Sequence, residues 1–205
     1  MYKKNFCNKP IINYFYNNGK INILFVAGTH GDEPAGYLAL KDYNFNNIPN
    51  INFTVVTMNP CGLKKKIRQN PQNNQDINRE YGKNNNHNII LENLIKKNDY
   101  VFDFHEGYDY HIRNSNSIGS TLSTKNQFHI SNKIINNLNN IITEKDKKFV
   151  LITDKPKIIG SLRDFCDNIN KPYVLVETTR IENIDLRIKK SRIIINTIIN
   201  YYYNK

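Results

Sequence analysis

Long apolar runs are what this sequence most plainly lacks. No stretch approaches the ~20 residues needed to cross a bilayer, so no membrane-spanning helix is expected, and the opening MYKKNFCNKP has no continuous apolar core of the secretory kind. Cysteine is scarce as well. Cys7, Cys61 and Cys166 are odd in number, widely scattered and free of CxxC spacing, which argues against both a disulfide framework and a cysteine-based zinc site. These absences predict a soluble, cytoplasmic protein in a reducing compartment.

Acidic residues are also few. Eighteen Asp and Glu stand against 29 Lys and Arg, giving a net charge of +11. Clustered cations would point to nucleic acid through counterion release. Here, apart from Lys64 to Lys66, the basic residues are spread along the whole chain. Lys, Asn, Ile and Tyr are over-used together, as an AT-rich coding sequence produces without selection for a partner. Nucleic acid is therefore not the expected ligand, and the charge is read as attraction for anionic substrates. The 39% hydrophobic content lies in short runs rich in Ile, Val, Phe and Leu. With 205 residues the chain can bury a full core without staples, and residues 1–205 are expected to form a single domain.

Strand and helix patterns alternate along that domain. IINYFY, then Asn17, Asn18 and Gly19, then KINILFVAG reads as a β-hairpin turned by residues that accept positive φ. A helix is expected to begin near Pro34, with Asp32 and Glu33 beside the positive end of its dipole. INFTVVTM (residues 51–58) is the next strand. Residues 59–86 are rich in Asn, Lys, Gln and Pro with almost no apolar periodicity, and so read as a long functional or disordered loop. NIILENLI forms a short helix and DYVFDFH a strand. Thr124 and Gln127 resemble a capping box for a helix with an apolar face of Phe128, Ile134, Ile135, Leu138, Ile141 and Ile142. FVLIT follows as a strand, then a helix opened by Ser161 with Asp164 three residues on. Strand YVLVE and a last helix from about Asn183 complete the chain. Strands separated by helices predict an α/β fold with a mixed, largely parallel central sheet covered by helices on both faces.

In such sheets ligands bind beyond the carboxyl ends of the strands. His30 follows INILFVAG within GTHGDEPAG, His105 closes DYVFDFH and Glu177 closes YVLVE, so all three are expected on one sheet edge. His30 and Glu33, three residues apart across a turn, can aim an imidazole nitrogen and a carboxylate oxygen at one point. Adding His105 gives two histidines and one glutamate, the ligand set of hydrolytic zinc sites that keep a fourth position open. An HxxE pair alone recurs by chance; the convergence on one edge is what gives it weight. His87, His111 and His129 are expected to be solvated.

Two further stretches are MNPCGLKKKIRQNPQNNQDINRE (residues 58–80) and DFHEG (residues 103–107). Together with GTHGDEPAG and VLVET they resemble the succinylglutamate desuccinylase and aspartoacylase family, itself related to the zinc carboxypeptidases. That family has an HxxE pair, an Asn-Pro with a basic loop and an Arg, an Asp-x-Asn-Arg motif, an Asp-x-His strand end and a later catalytic Glu, and all five occur here in that order. The resemblance implies a zinc carboxypeptidase-like (phosphorylase/hydrolase-like) architecture and one Zn2+ per chain on His30, Glu33 and His105. It implies Arg68 for the developing oxyanion, Asn78 and Arg79 for the substrate carboxylate, and Glu177 as general base and acid, with Glu106 a weaker alternative base.

Aspartoacylase and its close relatives continue into a C-terminal β-rich domain that helps close the site, and no such domain is expected here. Tyr108 and Tyr110, followed by His111 and Arg113, could supply the missing wall, or be plain surface. The expected activity is zinc-dependent deacylation of an N-acyl amino acid or similar small carboxylate-bearing amide. The rivals are a carboxypeptidase acting on a short peptide and, from another class, a basic nucleic-acid-binding or interaction protein on a degenerate hydrolase scaffold.

Overall fold

The computed structural model describes residues 9–154, 156 and 158–205. Its frame is one seven-stranded sheet made of β1 (Ile11–Phe15), β2 (Ile21–Ala27), β3 (Ile51–Thr57), β4 (Tyr100–Gly107), β5 (Thr121–Ser123), β6 (Val150–Ile152) and β7 (Tyr173–Thr179), in the spatial order β1-β3-β2-β4-β7-β5-β6. The four central strands β3, β2, β4 and β7 run parallel to one another. β1 and β5 are each antiparallel to their inner neighbour, and β6 is parallel to β5. The mixed, largely parallel sheet expected from the alternating pattern is therefore present.

Period-2 alternation sorts the strand side chains between two cores. On one face Phe25, Phe53, Phe102, Phe104, Val174 and Val176 meet α1 (Ala35–Lys41), α4 (Phe128–Asn139) and α6 (Ile184–Tyr203). On the other, Leu24, Val26, Val56, Val101 and Leu175 meet α3 (Asn86–Lys97) and α5 (Leu162–Asn168). Helices thus cover both faces. Side-chain caps start several of them: Ser161 accepts from Asp164 N–H, and Asn183 from Asp185 N–H. Among the described residues no helix is long and apolar enough to cross a membrane.

Four expectations are corrected. β1 and β2 do not form a hairpin, because β2 is flanked on both sides by parallel strands and β1 pairs with β3 instead. Asn18 does take positive φ, but the connection wraps around the start of β3. Asn52 Oδ1 accepts from Asn17 N and Gly19 N, and a Cβ on Gly19 would lie 2.3 Å from Ile51 N. Residues 59–86 are not one structureless loop. Asn59 caps α2 (Pro60–Lys65), with Pro60 at a first helical position and Lys66 in the left-handed conformation closing it. Asp76 caps a 3-10 turn over Ile77–Arg79. Two of the apolar positions assigned to α4 face water: Phe128 is 42% exposed, and Ile141, beyond the helix end, 50%. Finally, Cys61 is disulfide-bonded while Cys166 is a buried free thiol; Cys7 lies outside the described residues.

The α4 correction gives a direct check. Ile134→Ala empties a fully buried position and should cost about 2–5 kcal/mol in urea unfolding, whereas Ile141→Ala should stay within about 0.5 kcal/mol. Equal losses would mean that Ile141 is core after all.

Candidate metal centre

The exit of β2 builds half of the centre. Gly28 has φ 63° and turns the chain out of the sheet. Gly31 then passes so close to α2 that a Cβ would lie 2.0 Å from the Gly62 carbonyl carbon. Glu33 N–H donates to His30 O at 3.2 Å, closing the turn that makes the two side chains converge. β4 supplies the other half, for His105 stands in register with Glu177 of β7. Paired residues point to the same face, so Asp103, His105, Tyr173 and Glu177 all face the α3/α5 side, and Glu106 faces away.

Within the centre His30 Nδ1 lies 2.9 Å from Glu33 Oε1, His105 Nδ1 2.7 Å from Glu33 Oε2, and the two Nδ1 atoms 3.1 Å apart. All three residues are buried. Each Nε2 is spoken for by another carboxylate: His30 by Asp76 Oδ1 at 3.1 Å and His105 by Asp103 Oδ2 at 3.2 Å. Tyr173 donates its hydroxyl to the same Asp103 oxygen at 3.0 Å. With both Nε2–H groups donated outward, two Nδ1 lone pairs and a carboxylate face one point, which is the orientation that metal-ligating histidines take from their outer partners. The candidate ligand atoms lie within 4.8 Å of one another. The donor set and its outer carboxylates therefore fit a divalent cation.

The electrostatics agree. Burial works to lower the His105 pKa, but the charges of Asp103 and Glu33 outweigh it and raise it well above the ordinary 6.5. For His30 burial is likewise overcome, by hydrogen bonds to Asp76 and Glu33, and its pKa is raised. Burial would raise Glu33, yet the two imidazoles hold it far below the ordinary carboxylate range; Asp76 is held low in spite of burial by His30, Arg68 and Arg79. A cluster of buried carboxylates thus demands compensating positive charge, from protons on the rings or from a metal in their place.

A cavity of about 200 Å³ opens onto the centre, and among its lining residues are Arg68, Asn78, Arg79, Tyr108 and Glu177. Arg68 bridges Asp76 Oδ2, through Nε and Nη2, and Glu33 Oε1, through Nη1. That leaves two of its five N–H groups. Asn59, having capped α2, donates its Nδ2–H to Gln69 O at 3.1 Å and Arg68 O at 3.4 Å, which fixes the backbone carrying that arginine. Tyr108 stands 70% exposed at the cavity. Tyr110 is not among the lining residues: it is buried, donating its hydroxyl to Glu182, which also pairs with the buried Lys190. Glu106 borders the cavity but has both oxygens engaged, one by Ala35 N–H at the start of α1 and the other by Arg187 of α6. Of the three remaining histidines, His87 bonds Met58 O and His111 bonds Ser117 O rather than standing free in solvent.

Sequence reasoning gave no role to Asp103 or Tyr173. The signal for Asp103 was available, since it lies two residues before His105 on one strand and so on the same face. Arg180 pairs with Asp32 of the His30 loop.

Residues 20–188 match the model of the succinylglutamate desuccinylase/aspartoacylase catalytic domain. The chain belongs to this family. Solved structures agree in fold. Product-bound cell shape determinant protein Csd4 of Helicobacter pylori superposes with a TM-score of 0.80 at 16% identity, over 94% of this chain and 55% of that one. The mDAP-bound form of Csd4, described as a D,L-carboxypeptidase, gives 0.76 at 18% over 88% and 50%. Murein-tripeptide amidase MpaA of Escherichia coli O157 gives 0.63 at 16% over 88% and 82%. The chain therefore spans about half the length of Csd4. No curated protein matches it significantly in sequence.

The sign of the pKa shifts sets a test. In the metal-free chain the raised His30 and His105 contribute stability that is complete below the ordinary 6.5 and lost as pH rises through their raised values. The lowered Glu33 contributes stability present above the ordinary 4.5 and lost on acidification. Melting temperature in EDTA should thus decline from about pH 6 to about pH 8, and added Zn2+, which replaces the ring protons, should remove that decline. The same slope with and without metal would show that protons and metal do not compete at these rings.

Proposed function

We propose that the chain is a zinc-dependent hydrolase of an amide bond in an N-acyl amino acid or a similar small substrate bearing a carboxylate. The observation that carries this reading is the convergence of His30, Glu33 and His105 beside Glu177, at a cavity also lined by Asn78 and Arg79. His30, Glu33 and His105 would hold one Zn2+, for which a mixed imidazole and carboxylate set is suited. Bound there, the metal supplies polarisation of the scissile carbonyl and activation of water.

The remaining work falls to the chain. Glu177, beside His105 in the β4/β7 register, accepts the proton and passes it to the leaving amine. Arg68, with two N–H groups left after its bonds to Asp76 and Glu33, stabilises negative charge developing on the carbonyl oxygen. Arg79 and Asn78 hold the substrate carboxylate, which aligns the amide. Tyr108 forms part of the outer wall. The wall role considered for Tyr110 has no support, since that ring points into the Glu182 and Lys190 network. The placement of Glu106 on the opposite face of the sheet from His105, tied to Ala35 N–H and Arg187, supports Glu177 over Glu106 as the proton carrier.

A peptide amide is the second substrate class to test. The family match supports the deacylase reading, while two similar folds belong to a D,L-carboxypeptidase and a murein-tripeptide amidase. The purified chain should hold one zinc and hydrolyse members of a panel of N-acyl amino acids faster than peptides ending in the same residues; the reverse order would favour the carboxypeptidase. With an active substrate, Glu177→Gln keeps shape and zinc but cannot take a proton, so kcat should fall by roughly 10²–10⁴. Near wild-type kcat in that variant would remove Glu177 from the chemistry.

A further inference from the structure

Two glycines in this part of the molecule share one backbone conformation and differ in what surrounds them. Gly82 and Gly160 have φ of 76° and 75°. A Cβ on Gly82 would meet nothing within 4 Å, whereas one on Gly160 would lie 2.4 Å from the carbonyl oxygen of Arg79 and 2.8 Å from its carbonyl carbon. Left-handed φ accounts for glycine at both positions. Only at Gly160 is the missing side chain also demanded by a close approach, and the backbone it admits is that of the Asn78–Arg79 pair.

Two hydrogen bonds fasten this approach. Tyr81 N–H donates to Gly160 O at 3.0 Å, and Leu162 N–H donates to Asn78 Oδ1 at 2.8 Å. A backbone N–H can only donate, so the second bond decides which end of the Asn78 amide is oxygen. The oxygen end of Asn78 is therefore turned to Leu162 N–H, and the opposite end of the amide is the NH2 donor. The segment that does this is itself braced, because Asp164 Oδ2 takes Gly160 N–H and Asp164 N–H is taken by the Ser161 hydroxyl. Arg79 has no acceptor at all, and one of its Nη1–H groups goes to Asn78 O at 2.6 Å. Both residues line the cavity.

We propose that Gly160, with the 160–162 segment, is a positioning latch that makes Asn78 and Arg79 a donor-only clamp, so that this end of the cavity selects a carboxylate over a neutral amide or an ammonium group. The proposal rests on the reading above that this pair receives the substrate carboxylate. A side chain at position 160 must push the segment and the Arg79 backbone apart. That movement breaks the bonds from Tyr81 and Leu162, frees the Asn78 amide to rotate and loosens the guanidinium.

Succinate and butyrate, four-carbon acids that differ by one carboxylate, are the probes, titrated by calorimetry into the full chain with equimolar zinc. One carboxylate is common to both, so the ratio of their Kd values isolates the second anion contact. The wild-type chain should prefer succinate by about tenfold or more, the size of a charged hydrogen-bonded contact. Gly160→Ala should lose that preference with butyrate affinity unchanged, and Gly82→Ala, which imposes the same φ strain without the contact, should keep it. Asn78→Asp retains an oxygen for Leu162 N–H but turns the donor into an anionic acceptor, and should favour butyrate. If Gly160→Ala kept the preference while Arg79→Ala lost it, the latch is overturned and the clamp stands. If Arg79→Ala kept it as well, the clamp reading itself fails. Should Gly160→Ala not fold, an Asn78→Asp chain that still preferred succinate would overturn the donor-only clamp.

Discussion

The carboxylate of Glu33 is the point on which the rest of this architecture depends. Buried among protein atoms, it accepts from or faces His30, His105, Arg68 and the backbone N–H of Glu106. These partners come from the exit of β2, the segment after α2 and the end of β4, so one side chain joins three regions far apart in sequence. An unpaired buried carboxylate would be costly. The surrounding imidazoles and guanidinium make the charge tolerable, and in doing so they bring the candidate metal ligands to one place.

The sheet then decides which carboxylates can share that place. Adjacent residues of a strand point to opposite faces, so His105 and Glu106 are separated by the sheet although they are neighbours in the chain. Glu106 reaches α1 and α6, where Ala35 N–H and Arg187 take its oxygens. Its pKa is nonetheless raised, burial outweighing those contacts. Glu177, seventy-odd residues further on, is the one that register sets beside His105.

This also explains what could be read in the sequence and what could not. The candidate site was legible because three apolar strands lead to His30, His105 and Glu177, with Glu33 three residues after His30, and parallel strands put their carboxyl ends on one edge. The short helix opened by Ser161 and the long one starting at Asn183 were legible from local chemistry. The β1–β2 hairpin failed because a turn signal is local while the choice of strand partner is not: β3 and β4 occupy both sides of β2. α2 was hidden by its brevity and basic composition, although Asn59 and Pro60 spelled out its start. Tyr110 could not be placed from sequence, since the acid that receives its hydroxyl, Glu182, is 72 residues away.

The surplus of positive charge acquires a different meaning once the pairs are known. Around the cavity most cations are matched by acids: Arg68 by Asp76 and Glu33, Arg180 by Asp32, Arg187 by Glu106. Arg163 sits 3.8 Å from Asp167. Matched pairs project little field into a cavity, so a high net charge does not by itself make the site anion-selective. Arg79 differs. Among the described residues it makes no ion pair, and its Nη1 contact is to the neutral carbonyl of Asn78. Its charge is nonetheless felt by Asp76, whose carboxyl it helps to hold low, and Arg163 Nη1, at the same cavity, is buried with no hydrogen-bond partner among the described residues. Under the proposed function, the cations that can meet an anion in the cavity are thus these few and not the basic surface at large.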